Sequence, residues 1–178
     1  HEAVLKIDDS HLDSLLESVG YRLTYYWDWD GMKAEFERLR NLYPDAHLMW
    51  SIFYRCLGRT NEARFEQAQW EKQQPNHPWF RFHAPAARYF EGQYDEAIAL
   101  ACRGPGMDMN GYYWLARCSI EKGDYAKAIE TIPKALDIYD TPDLLAMLGR
   151  AYALAGERTK AEGVLDELKR RKRTGYVQ

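Results

Sequence analysis

The sequence predicts an all-α fold, a stack of antiparallel helix hairpins forming an α-solenoid, and three observations carry that expectation. A glycine followed five residues later by an alanine occurs four times, as Gly58 and Ala63, Gly92 and Ala97, Gly123 and Ala128, Gly156 and Ala161. The glycines are spaced by 92 − 58 = 34, 123 − 92 = 31 and 156 − 123 = 33 residues, the period of a helix-turn-helix unit. Around each anchor, small residues fall where two helices approach closely and large apolar residues where they fill the space between hairpins.

Five hairpins follow, beginning near Asp13, Pro44, Pro78, Met109 and Pro142 and dividing the chain into 13–43, 44–77, 78–108, 109–141 and 142–178. Residues 1–12 precede them, and the stretch 3–9 reads as the end of another repeat's second helix. The first hairpin has Leu16, Val19, Gly20 and Leu23, then Met32, Phe36, Leu39 and Pro44, with Trp27 where the others carry the turn glycine. The second has His47, Trp50, Ser51 and Tyr54, then Ala63, Gln67, Trp70 and Pro75. Pro44 and Pro75 stop the second helix of their units, because proline cannot donate to a continuing helix.

The third hairpin is irregular. Pro85 stands where the first helix wants a small residue with a free amide, predicting a kink or a restart, and Gly104-Pro105-Gly106 should end the second helix early. The fourth has Tyr112, Leu115, Ala116 and Ser119, then Ala128, Ile132 and Ala135, with Pro133 inside its second helix. The fifth has Leu145, Leu148, Gly149 and Tyr152, then Ala161 and Leu165, and the last six residues, 173–178, read as the start of a further segment. A chain that opens on His1 rather than Met reads as an excised or processed piece of a longer array. Apolar end faces on such a piece predict end-to-end association.

The fifth unit resembles the tetratricopeptide-repeat (TPR) pattern W-x2-L-G-x2-Y followed by A-x3-F, and the resemblance extends over nearly the whole chain. It implies a right-handed superhelix whose first helices line a concave groove, where peptides or partner helices lie. Helical spacing then assigns Asp45, Leu48, Met49, Ile52 and Arg55 of the second hairpin to that groove, and Trp79, Phe82, His83, Ala86 and Tyr89 of the third. The fourth contributes Asn110, Tyr113, Trp114, Arg117 and Glu121, and the fifth Asp143, Met147 and Arg150.

Large aromatics and arginines dominate binding hot spots, because they desolvate much area while offering donors. Trp79, Phe82, Tyr113 and Trp114 are the densest such group, and Arg117 and Arg150, one repeat apart, are placed to grip a carboxylate or phosphate together. The alternative for each aromatic is packing between helices, and for the arginines a solvated surface. TPR arrays that recognise chaperone C-termini use Lys and Asn at set groove positions. Glu17 and Tyr21 occupy the first of those places, so that activity does not carry over.

Composition excludes several classes. With 46% apolar and 29% charged residues the chain is expected to fold, and a net charge of −3 gives no field for attracting nucleic acid. The run Lys169-Arg170-Arg171-Lys172-Arg173 reads as the cationic end of a helix, where it suits the dipole. No apolar window is long enough to span a membrane. Three cysteines, Cys56, Cys102 and Cys118, without CxxC spacing argue against disulfides and zinc, and favour a reducing, cytoplasmic setting.

Asp28 with Asp30, and Asp95 with Glu96, read as first-turn carboxylates rather than catalytic pairs. His77 and His83 lack companions at ligand spacing. No phosphate loop, nucleophile elbow or HExxH helix occurs, so no catalysis, metal or cofactor is expected. Three functional readings follow: a scaffold binding a protein or peptide, the sensory part of a regulator, and a non-catalytic segment of a larger enzyme. The second takes a small molecule or short peptide in the aromatic groove, an acidic ligand being a further expected partner, and the stretch 25–30, YYWDWD, is similar to TPR arrays of bacterial regulators.

Overall fold

A computed structural model describes residues 26–104 and 106–173, together with Val19 and Arg22. The expectations for Leu16, Gly20, Leu23, Pro105 and the two terminal segments lie outside the described residues, as do Glu17, Tyr21 and Tyr25. Among the described residues the chain alternates helices with short turns, and it divides into two compact units, residues 1–73 and 74–178.

In the first unit α1 runs Trp29–Leu42, α2 His47–Cys56 and α3 Thr60–Gln73. Trp27 does take the place of a turn glycine: its φ is 52°, a left-handed conformation costly for a side chain of that size. Asp28 then caps α1, its carboxylate accepting from the Gly31 amide at 2.9 Å and pairing with Arg22 at 2.6 Å. Met32, Phe36 and Leu39 recur at helical spacing and bury one face of α1. They form a core with Val19 and with Trp50 and Phe53 of α2, in which Phe36 meets Trp50 edge-to-face at 5.3 Å. Ser51, fully buried, donates to Gln67 at 3.1 Å and so joins α2 to α3.

A buried carboxylate is the unexpected part of this unit. Glu66 is 2% exposed, and its oxygens meet Arg40 at 2.7 Å and His47 at 2.6 Å. Partners from α1 and α2 thus hold an α3 charge inside, as burial of a carboxylate requires.

The second unit contains α4 (Phe80–Phe90), α5 (Tyr94–Ala101), α6 (Met109–Glu121), α7 (Tyr125–Ile138), α8 (Pro142–Leu154) and α9 (Arg158–Arg173). Its three hairpin turns place Gly92, Gly123 and Gly156 at φ 75°, 79° and 79°, and Gly58 of the first unit is at 71°. The glycine period of the sequence is therefore a period of left-handed turns.

The third hairpin departs from expectation at one point. No restart occurs at Pro85: α4 continues on both sides of it, and the proline is buried. Proline's fixed φ suits a helix, and only one backbone bond, to the Arg81 carbonyl, is forfeited. Pro133 lies within an equally continuous α7, on its exposed side, where water can satisfy the carbonyl left open. The early end of α5 is present: the helix has 8 residues, against 14 in α7, and left-handed Gly104 and Gly106 follow it.

The largest core of this unit joins Ala116 and Ile120 of α6, Ala128, Ile132 and Ala135 of α7, and Leu144, Met147, Leu148 and Ala151 of α8. Small residues on α6 and α7 admit the large side chains of α8. A smaller cluster joins Ala86, Ala101 and Trp114, so α6 covers the third hairpin as α8 covers the fourth.

Candidate functional site

Helix α4 supplies an aromatic row that α6 extends. Trp79 stands at the N-cap of α4, 58% exposed, with no side-chain cap of its own. His83 follows at 5.8 Å between ring centroids, Phe82 lies 5.1 Å from His83, and Phe82 reaches Tyr113 at 6.3 Å and Trp114 at 5.6 Å. These separations are those of interacting aromatic pairs. Trp79 and Phe82 still present open ring surface to solvent.

Trp114 is the floor of this row rather than part of its surface. It is 2% exposed, packed at 5.5 Å from Tyr89 and 5.1 Å from Tyr113, and its indole Nε1 has no hydrogen-bond partner. Met147 and Leu48, each 8% exposed, and Ala86 likewise face cores. Helical spacing places these residues on first helices, but it does not separate the side chains that line a surface from those that underlie it.

Beside the aromatics lies a cation. The Arg117 guanidinium sits 5.0 Å from the Tyr89 ring centroid, 5.7 Å from Tyr113 and 5.8 Å from Trp114, within cation–π range of all three. It donates to the Tyr113 hydroxyl and interacts with that of Tyr89. Burial pushes the pKa of both tyrosines up, so these acceptors are neutral and the charge of Arg117 is not cancelled by them.

Arg150 is arranged differently. Its Nη1 donates to Glu121 Oε1 at 2.9 Å, and the same oxygen accepts from Tyr89 at 3.0 Å. The hydrogen bond from Arg150, helped by Tyr89, holds the Glu121 carboxyl below its ordinary pKa against the opposing effect of burial. The two arginines expected to act alike are thus distinguished by Glu121: Arg150 hydrogen-bonds its carboxylate, whereas Arg117 feels that carboxylate through space and hydrogen-bonds tyrosine hydroxyls.

The second unit therefore assembles Trp79, Phe82, His83, Tyr89, Tyr113, Trp114, Arg117 and Arg150 around one surface, with Glu121 tying three helices together. Met49 and Arg55 belong to the first unit, where Met49 packs against the Phe36–Trp50 core. Sequence reasoning missed the link role of Glu121, although its partners Tyr89 and Arg150 lie about one repeat before and after it, a signal that repeat register carries. The Arg40–Glu66–His47 group has no such signal, because its members come from different positions of different helices.

Asp28 caps α1 and Asp30 lies in its first turn, while Asp95 and Glu96 lie in the first turn of α5. Cys56 and Cys102 are exposed free thiols, while burial pushes that of Cys118 up to about 12. Among the described residues no three His, Cys, Asp or Glu side chains cluster to hold a metal, and no helix is long and apolar enough to cross a membrane.

Residues 110–141, α6 with α7 and the turn after it, match the tetratricopeptide-repeat family model. Two solved structures share the fold. One holds nearly identical TPR-like repeats assigned to a kinesin light chain of Podosopora anserina. It superposes with a TM-score of 0.66 at 18% identity, over 94% of this chain and 98% of that one. The other is MamA, with a TM-score of 0.57 at 17% identity, over 93% of this chain and 96% of that one. No curated protein sequence matches significantly. The fold is that of TPR-type helical repeats.

Proposed function

We propose that the chain is a non-catalytic interaction scaffold that captures a short peptide segment of a partner protein on the α4–α6 surface. The observation that supports this most is Arg117: a half-buried guanidinium, flanked by three aromatic rings, whose hydrogen-bond partners are neutral hydroxyls. A charge held in such surroundings is most stabilised by an incoming carboxylate. Open faces of Trp79 and Phe82 beside it offer a desolvating platform for an apolar side chain. The preferred segment thus combines a large apolar residue with a nearby Asp, Glu or C-terminal carboxylate.

Selection of random peptides displayed on phage against the intact chain tests this reading. Enriched peptides are expected to share an apolar residue and a carboxylate, and Trp79→Ala and Arg117→Ala each to weaken them by roughly tenfold. Helical content should stay unchanged, since both side chains reach solvent. Selected peptides that bind the Arg117→Ala chain with undiminished affinity would show the groove assignment to be wrong. Trp114 is unsuited to this test, because truncating a buried indole removes core packing.

A further inference from the structure

The short second helix of the third hairpin leaves a cavity beside the fourth. Gly92 and Gly123 put α5 and α7 in register 31 residues apart, so Ala101 stands where α7 has Ile132, and Gly104 where it has Ala135. Helix α5 ends at Ala101, and the large side chain and later turns that α7 supplies have no counterpart. In that place lies a cavity of about 370 Å³, bounded by the loop after α5, by Tyr112 and Leu115 of α6, and by one face of α7. Leu115 is about 200° around α6 from Arg117. The cavity is therefore on the other side of that helix from the α4–α6 surface.

Two features of α7 distinguish this cavity from a packing gap. Thr131 is 1% exposed and lines the cavity, yet its hydroxyl has no hydrogen-bond partner among the described residues. A buried polar group left without a partner costs stability, so this hydroxyl gains by meeting a ligand. Lys127, Thr131 and Lys134, spaced by four and then three residues, also form one row along the helix and line the cavity together. Both lysines donate to the single carboxylate of Glu130, at 3.2 and 2.8 Å, which leaves one of the two positive charges uncompensated. No carboxylate is among the described residues that line the cavity, and Met107, Tyr112 and Leu115 give the rest of it an apolar wall.

We propose that this cavity is a second binding site, independent of the α4–α6 surface, and that its ligand is a small organic acid with an apolar body and one carboxylate. The carboxylate lies over Thr131 and accepts from its hydroxyl, with the ammonium groups of Lys127 and Lys134 on either side. Hydrogen bonds to an ionised acceptor are stronger than those between neutral groups, so the same hydroxyl prefers a carboxylate to a neutral oxygen. The apolar body packs against Met107, Tyr112 and Leu115. A volume near the lower end of the range for ligand sites suits a small acid rather than a folded segment of a partner.

The probe is octanoate, titrated against the intact chain and followed by amide shifts in nuclear magnetic resonance. Saturable shifts are expected at Met107, Leu115 and Thr131, not at Trp79 and Arg117. Octanol, which lacks the charge, and acetate, which lacks the body, should each bind about tenfold more weakly or worse. Thr131→Val keeps the side-chain shape and should weaken octanoate roughly fivefold, while leaving the melting temperature of the free chain unchanged or raised because no hydrogen bond is lost. Lys134→Glu, at an exposed position that circular dichroism should show still folded, should weaken it about tenfold. Octanoate should also slow alkylation by iodoacetamide of Cys102, which lines the cavity, and not of Cys56, the other exposed thiol. Absence of saturable binding, octanol bound as tightly as octanoate, or binding indifferent to both variants overturns the proposal. Shifts confined to Trp79 and Arg117 overturn it by giving the acid to the α4–α6 surface, and a clear fall in melting temperature in Thr131→Val does so by showing the hydroxyl already engaged.

Discussion

The fourth and fifth hairpins have the same spacing and the same turn, yet one is a core and the other a surface. Gly123 and Gly156 both adopt φ 79°, and Ala128 and Ala161 follow at the same distance. Ile132 is fully buried, whereas its counterpart Leu165 is 49% exposed. The difference teaches that a repeat specifies its own hairpin locally, while the helix that follows determines whether its outer face becomes interior.

The largest effects should come from charges on the two kinds of ground. Removing the buried Glu66 carboxylate by Glu66→Ala takes the shared partner from the largely buried His47 and from Arg40 and should cost about 3 kcal/mol in chemical denaturation. Glu167 pairs with Arg170 and Arg171 on α9 while still reaching solvent, and Glu167→Ala should cost no more than about 1 kcal/mol by the same measurement. Equal effects would show that α9 is covered in solution.

Next comes the direct comparison of faces. Ile132→Ala should destabilise the chain by about 2–5 kcal/mol, as truncation at a filled site does, and Leu165→Ala by less than about 1 kcal/mol. Melting temperatures of the two variants measure the difference.

The turns should behave alike. Gly123→Ala and Gly156→Ala each force a side chain into the left-handed region, at about 1 kcal/mol apiece. Unequal losses would mean that the turns feel their surroundings after all.

Smallest is the pH effect of the link between these hairpins. Arg150 and Tyr89 lower the pKa of Glu121 below its ordinary value of 4.5. A depressed folded-state pKa gives stabilisation that is complete above the unfolded value and is lost as pH falls through the folded one. The stability difference between the native chain and Glu121→Gln should therefore be flat above about pH 5 and shrink on acidification below about 4.5. A difference that grows on acidification would contradict the hydrogen-bonded geometry of Glu121.

The period of Gly58, Gly92, Gly123 and Gly156 was enough to establish the all-α hairpin fold, because a left-handed turn is a local demand that only particular residues meet cheaply. Trp27 was legible as a turn position only from the register of its neighbours. The early end of α5 was equally local, written in its glycines. Helical spacing also named the residues that gather around Arg117, since it records which face of a helix each side chain occupies.

Depth was not legible. Trp114 and Phe82 are both aromatic residues assigned to the groove, yet one is buried and the other open, because exposure depends on neighbouring helices. Arg117 and Arg150 were equivalent by period and became different only when Glu121, a helical turn beyond Arg117, met Arg150 from α8. The continuity of α4 through Pro85 and the burial of Glu66 were likewise settled by packing. Sequence by itself determined the hairpins, because backbone conformation responds to near neighbours. Tertiary structure alone decided which charges are cancelled and which faces stay open, because both depend on atoms brought together from distant parts of the chain.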